Sequence, residues 1–348
     1  MKQNKTVLIT GSQGFIGSYI CNELLDQGYR VIGIDNFSKY GIVKRSHDNN
    51  PSFRLIEQDC SKDSFKTNFI NGEEKELEIN YIIAGAAMIG GISYFHKYAY
   101  DLIAKNEKII ANTFDVALDR FKKNQLKRII VLSSSMVFEN ATKWPTPEGH
   151  QLECPPPFST YGFQKLSCEY FAKGANQQYG IPYTIIRPFN CIGIGEDKSL
   201  NEQEVLSGNI KLMMSHVVPD LINKCLLGQD PLHILGSGDQ IRHYTNGKDI
   251  ARGIRLALEF EAAINEDFNI SSSISITVLE LAKMIWEKIN PKKPFRCVSD
   301  PPYEYDVQKR IPDTTKAKKI LGFDAEIKLS DSLDEVIKWM KKNRKIIA

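Results

Sequence analysis

Three glycines near the N-terminus limit the architecture more than any other feature of this chain. Thr6 to Thr10 (TVLIT) is a short, β-branched, strand-like run that breaks into Gly11-Ser12-Gln13-Gly14-Phe15-Ile16-Gly17. Apolar Ile16, Tyr19, Ile20 and Leu24 then recur at helical spacing up to Gln27, so the glycines sit on a strand–turn–helix junction. Gly11 permits the tight turn, Gly14 lets the backbone approach a pyrophosphate, and Gly17 allows close packing of helix on strand. The first-turn amides, at Phe15 and Ile16, then face phosphate oxygens with the helix dipole behind them. The ordinary alternative is a βα turn that is merely rich in glycine, and the rest of the chain has to decide between the two.

The next segments favour a dinucleotide. A second strand, Arg30 to Ile34, ends at Asp35, about 20 residues beyond the loop, where a carboxylate accepts hydrogen bonds from the adenosine ribose. A carboxylate there repels a 2′-phosphate, so NAD is expected rather than NADP. No arginine follows Asp35 directly, although Lys39, Lys44 and Arg45 are near. Asp59, after the strand Phe53 to Ile56, either accepts from the adenine amino group or simply caps its loop. Asn36, Cys60 and Ala84, at the same strand ends, complete the expected cofactor contacts.

Further strand-like runs at Tyr81 to Ala84, Arg128 to Leu132 and Tyr183 to Arg187 alternate with helical stretches, notably Asp101 to Lys123 and Tyr161 to Tyr179. That alternation means βαβ units and a parallel sheet. After about Phe189 the rhythm becomes irregular, with helices expected over Val217 to Leu227, Glu280 to Ile289 and Asp331 to Met340. Residues 1–190 are therefore expected to form the dinucleotide-binding domain, with some later segments returning to it. Residues 191–348 are expected to form mainly a smaller substrate lobe.

Composition removes other classes. With 42% hydrophobic and 25% charged residues the chain suits a globular protein, not a disordered one. Forty-five basic against 42 acidic residues leave +3, too little for a nucleic-acid partner. There is no apolar run of 18 or more to span a membrane, and Met1 to Lys5 leads straight into a strand rather than a signal-peptide core. Seven cysteines, scattered and without a CxxC, suit reduced cytoplasmic thiols and no metal site.

The chemistry lies in Tyr161-Gly162-Phe163-Gln164-Lys165, where Tyr161 and Lys165, four apart, share a helix face. A nearby ammonium favours the phenolate form of tyrosine, which can then take a proton from a sugar hydroxyl while hydride leaves the same carbon. Lys165 can also reach the nicotinamide ribose. Ser133-Ser134-Ser135 end the strand Arg128 to Leu132 at the carboxyl edge, where α/β sites form.

Together with SSSMVF, STYGFQK, RPFNCIG, GSGDQIRHYTNGKDIARG and KRIPDTTKAKKILGF, these motifs resemble the extended short-chain dehydrogenases/reductases, specifically the NAD-dependent nucleotide-sugar epimerase/dehydratase family. The resemblance covers essentially the whole chain. It implies a seven-stranded, mainly parallel, Rossmann-type doubly wound α/β sheet with a mixed α/β C-terminal substrate lobe. It also implies a homodimer formed through the two long helices. By motif, Ser134 matches the catalytic serine/threonine, Tyr161 the acid/base and Lys165 its partner. Substrate contacts would come from Asn106, Ser135, Asn190 in RPFN and Arg242 in GDQIRHY, with Arg310 a weaker match. An arginine suits a diphosphate because its fork binds phosphate oxygens bidentately.

Departures from the pattern bear on the reaction. Relatives that eliminate water or carbon dioxide resemble one another in a glutamate where this chain has Met136, and 3,5-epimerases have a proton-exchanging cysteine there. A 4-epimerase needs neither, since oxidation at C4 and hydride return use only Ser134, Tyr161 and Lys165. Against this, Ala86 to Ile92, with Gly90 and Gly91, and Ser215 to Pro219, with His216, resemble fucose-type synthases. The expectation is thus an NAD-dependent 4-epimerase of a nucleotide-activated hexose. A 3,5-epimerase or 4-ketosugar reductase is next, then a dehydratase or decarboxylase. An idle NAD-binding regulator comes last, because both residues of the YxxxK motif are present.

Overall fold

The computed structural model describes residues 5–89, 97–196, 206–207, 209–211, 216–302 and 306–347. A strand covered on both faces by helices must be apolar along its whole length. The runs β1 (Thr6–Thr10), β4 (Tyr81–Ala84), β5 (Arg128–Leu132) and β6 (Tyr183–Pro188) are buried almost end to end. β2 (Arg30–Asp35) is buried except at its ends, and β3 (Phe53–Glu57), carrying Arg54 and Glu57, is left at an edge.

Between these strands lie α1 (Phe15–Asp26), α2 (Asp63–Asn71), α3 (Ala99–Lys122) and α4 (Thr160–Tyr179). Later in the chain come α5 (Val217–Leu226), β7 (Leu232–Leu235), α6 (Gly247–Glu259), β8 (Glu266–Ile270), α7 (Val278–Ile289), β9 (Cys297–Asp300), α8 (Thr315–Leu321) and α9 (Leu329–Ile347).

The central sheet runs β8-β6-β5-β4-β1-β2-β3, and every neighbouring pair is parallel. One face is covered by α1 and α6, whose Ile20, Leu24, Ile250 and Ile254 share a core. On the other face Phe65, Phe69, Phe114 and Ala172 bring in α2, α3 and α4. A separate core built on Val218, Ile222, Ile234, Leu281, Trp286 and Val336 joins α5, β7, α7 and α9 beyond the carboxyl ends of the strands. Among the described residues no helix is long and apolar enough to cross a membrane.

Sequence reasoning names six of the seven sheet strands and leaves the last unplaced. β8 begins Glu266-Asp267, which reads as loop, yet both acids are paired: Asp267 with Arg187 at 2.8 Å and Glu266 with Lys316 at 2.8 Å. Arg187 reaches further, donating to Glu169 of α4 through Nε and Nη2, both at 2.7 Å, with neither side chain exposed. Ser133 Oγ donates to the same carboxylate at 2.7 Å. One buried ion pair therefore joins β5, β6, β8 and α4. Replacing one member of such a pair strands a buried charge, so Glu169→Ala is expected to lower stability by about 3–5 kcal/mol in urea unfolding.

Candidate active site

The carboxyl ends of the strands open into a single cleft of about 440 Å³ that runs from the β2–β3 edge to the C-terminal lobe. Its floor is the glycine loop. Gly11 has φ +77°, and a Cβ on it would stand 2.9 Å from Ala86 Cα. A Cβ on Gly17 would lie 2.0 Å from the Gly11 carbonyl oxygen, so the approach of helix to turn depends on glycine. Gly14 begins α1 without a side-chain cap, and no acidic residue occupies the first turn. The amide end at Phe15 and Ile16 is thus left facing the cleft with its positive dipole uncompensated, which fits a pyrophosphate.

Asp35 accepts from the Gln13 and Phe37 amides, each at 2.9 Å, with lone pairs left over for ribose hydroxyls. Burial pushes its carboxyl up, opposed by those backbone donors. Asn36, Asp59 and Cys60 line the same end. Asp59 caps its loop, taking Ser61 N at 2.9 Å and Ser61 Oγ at 2.7 Å. Burial works against its charge, but the Ser61 hydrogen bonds and nearby Lys105 hold the carboxyl below its ordinary range. Ala84 is buried within β4 and lies outside the cleft lining, which Gly85 and Ala86 form instead. These donate their amides to Thr10 Oγ1, both at 3.1 Å.

The residues expected to carry the chemistry meet where β5 ends. Ser134 accepts from Met136 N at 3.2 Å and so starts the short 3₁₀ helix Ser135–Phe138. Lys165 Nζ donates to the Leu132 carbonyl at 2.9 Å and lies 6.0 Å from the centre of the Tyr161 ring. Both side chains are buried but line the cleft, as do Ser134, Ser135 and Met136.

The substrate candidates divide. Asn190, His216, Arg242 and Arg310 line the far end. Arg242 donates to Asp306 at 3.3 Å, while Arg310 Nε is buried with no hydrogen-bond partner among the described residues. Burial, and then the charge of Arg242, push the Arg310 guanidinium down from its ordinary value. Two guanidiniums with so little carboxylate between them make a place for an anion. His216 meets Glu196 with both its backbone N–H, at 3.1 Å, and its ring Nδ1. Burial disfavours the Glu196 charge, yet His216 and Lys39 hold its carboxyl below the usual range.

Asn106, expected to contact the substrate, is not among the cleft-lining residues. Its Oδ1 accepts Met88 N at 2.6 Å and its Nδ2 donates to Met88 O at 3.0 Å, so it clamps the loop after β4 from outside the lining. Gly90 and Gly91 lie outside the described residues. Asp306 and Glu196 escaped sequence reasoning, because a lone carboxylate in an irregular stretch carries no local signal.

The sequence profile of the NAD dependent epimerase/dehydratase family matches residues 7–271. A Methanocaldococcus jannaschii protein provisionally named a UDP-glucose 4-epimerase is 29% identical, over 97% of this chain and 99% of its own. The crystal structure of a UDP-glucose 4-epimerase from Thermotoga maritima with UDP-glucose is 28% identical and superposes with a TM-score of 0.80, covering 97% of this chain and 99% of that one. UDP-glucuronic acid decarboxylase 4 of Arabidopsis thaliana is 26% identical over 95% of this chain and 68% of its own. The likeness thus spans more than one reaction on the same class of substrate.

If Asp35 holds the adenosine ribose, Asp35→Asn removes a charged acceptor while keeping its shape. NAD affinity measured by calorimetry is then expected to fall about 10- to 100-fold.

Proposed function

The chain belongs to the NAD-dependent epimerase/dehydratase family, and from that premise we propose that it is a nucleotide-sugar 4-epimerase. One observation carries the reading. Ser134, Tyr161 and Lys165 share one stretch of cleft wall, and the side chain beside them, where an acid or base for elimination would stand, is the thioether of Met136.

Under this reading Arg242 and Arg310 grip the substrate diphosphate and point the hexose towards Tyr161. The Tyr161 oxygen takes the proton of the C4 hydroxyl, with the Lys165 side chain beside it on the same helix face. Ser134 donates a hydrogen bond to the reacting oxygen and keeps it in register. Bound NAD supplies the hydride acceptor and donor at C4. After the keto-sugar turns over within the cleft, Tyr161 returns the proton from the same side, giving the 4-epimer.

A second reading has its own support. Glu196 holds His216 on the cleft wall, so carbon-acid chemistry of the 3,5-epimerase or 4-ketosugar reductase kind has one base available. Met136, 4% exposed, cannot serve as the second. A homodimer fits the groove between α3 and α4, where Tyr170 and Tyr179 are 58% and 44% exposed. All seven cysteines are unpaired, as suits a reducing cytoplasm.

The deciding measurement is proton NMR with UDP-, GDP-, CDP- and dTDP-hexoses in deuterium oxide. A 4-epimer without deuterium on carbon is expected. Deuterium at C3 or C5 would replace this reading with the second. Tyr161→Phe should reduce turnover about 10²- to 10⁴-fold with the fold intact, and undiminished turnover would remove Tyr161 from the mechanism.

A further inference from the structure

Between β2 and β3 the chain leaves the sheet, lines the cleft from Asn36 to Gly41, and returns across the glycine loop. Arg45 lies in the returning part and is not among the cleft-lining residues. Its guanidinium donates through Nε and Nη2 to the Gln13 carbonyl, at 3.1 and 2.7 Å. Its Nη1 donates to the Gly195 carbonyl at 3.3 Å, on the connection that leads from β6 into the C-terminal lobe. A single side chain therefore ties the glycine loop, the β2–β3 segment and the connection into the lobe together behind the cleft lining.

The surroundings are built for this contact. The backbone N–H of Arg45 donates to Asp48 Oδ2 at 2.7 Å, and Asp48 Oδ1 accepts Gln13 Nε2 at 3.0 Å. The Gln13 amide itself donates to Asp35, so the bridge continues to the carboxylate expected to hold the ribose. The guanidinium carbon lies 5.8 Å from the Tyr40 ring centre. Gly195 has φ +90°, and a Cβ there would stand 2.5 Å from Arg45 Nη1, so the guanidinium fills space that only glycine leaves open. On the same segment Lys39 feels the charge of Glu196, the residue after Gly195. Tyr19 secures the connection from the other side, donating to the Ile194 carbonyl at 3.2 Å.

We infer that Arg45 is a latch governing the rate at which NAD enters and leaves. The glycine loop is the floor of the cofactor site, and Arg45 fixes that floor to the connection into the lobe through the Gln13 and Gly195 carbonyls, so the loop can move away from a bound cofactor only when Arg45 releases one of the two. Arg45 acts through these carbonyls and is a positioning residue. The inference deepens the proposed function, because a hydride taken from a sugar can be returned to it only while the same cofactor stays in place. It rests on the NAD dependence of the family and not on which sugar reaction is catalysed.

The test compares wild type, Arg45→Ala and Arg45→Lys by stopped-flow NADH fluorescence, measuring association directly and dissociation by displacement with excess NAD. Circular dichroism and thermal unfolding establish that each variant is folded. In Arg45→Ala both rate constants are expected to rise about 10-fold or more, with Kd changing less than either. Arg45→Lys keeps the charge but lacks the fork that spans two carbonyls, and should behave like Arg45→Ala. Unchanged dissociation in both variants overturns the latch. Faster dissociation with slower association also overturns it, since that marks a lost binding contact. If Arg45→Ala does not fold, Arg45→Lys decides alone. Exchange rates that behave as expected in a protein that converts no hexose uphold the latch and remove the 4-epimerase reading.

Discussion

The buried pair of Glu169 and Arg187 is the constraint on which the geometry of the site depends. Desolvating two charges is costly, and apolar replacements of similar volume often serve stability as well. What an apolar pair lacks is direction. Glu169 receives Arg187 through two parallel hydrogen bonds and Ser133 through a third, while Arg187 also takes Asp267. Glu169 lies four residues after Lys165 and eight after Tyr161, so all three share one face of α4. Fixing Glu169 on β6 sets the rotation of α4, and with it the approach of Tyr161 and Lys165 to the end of β5. Ser133, held by the same carboxylate, adjoins Ser134. The register of the proposed catalytic groups is thus set by a contact that does not itself line the cleft, except through Ser133.

The cleft is polarised along its length. At the β2 end stand Asp35 and Asp59, acceptors suited to ribose hydroxyls and an amino group. At the lobe end stand Arg242 and Arg310, donors with charge in excess of their carboxylate. The uncapped end of α1 lies between them. A ligand with one diphosphate at the helix end and another at the arginines would match this order, whereas a 2′-phosphate beside Asp35 would not. The polarity follows from backbone as much as side chains, since the dipole of α1 needs no residue beyond the glycines that let a ligand approach it.

How far the chain could be read depended on how local each signal was. The buried parallel strands stood out because lining both faces with helices forces near-continuous apolar runs, as in RVIGI and RIIVL. β8 did not stand out, because Glu266 and Asp267 begin it and find their partners on β6 and α8. The site divides in the same way. Glycine spacing, the strand-end aspartates and the i, i+4 pair on α4 are short-range patterns. Pairs such as His216 with Glu196, Arg242 with Asp306 and Arg45 with Gly195 join residues 20, 64 and 150 positions apart, and only the fold brings them together. Asn106 was legible as a residue of interest, but its contact with both backbone groups of Met88 was not.

The apolar wall on the Met136 side of Tyr161 bears most directly on the chemistry. Met136 packs with Leu102, Tyr161 and Val307, so the wall beside the tyrosine is apolar. Such a wall excludes water from a developing keto group and presents no atom able to accept a proton from carbon. Under the proposed reaction this is an advantage, because a 4-keto sugar is prone to losing the protons on C3 and C5 whenever a base stands near. Glu196 holds His216 through Nδ1, and the pairing fixes where the ring can turn. In the proposed reaction a keto-sugar held by its diphosphate at Arg242 and Arg310 would rotate about the bonds joining it to the diphosphate and present its other face to the same tyrosine. One proton-transferring group suffices for both directions, which is why inversion at C4 makes fewer demands on the rest of the cleft than any alternative.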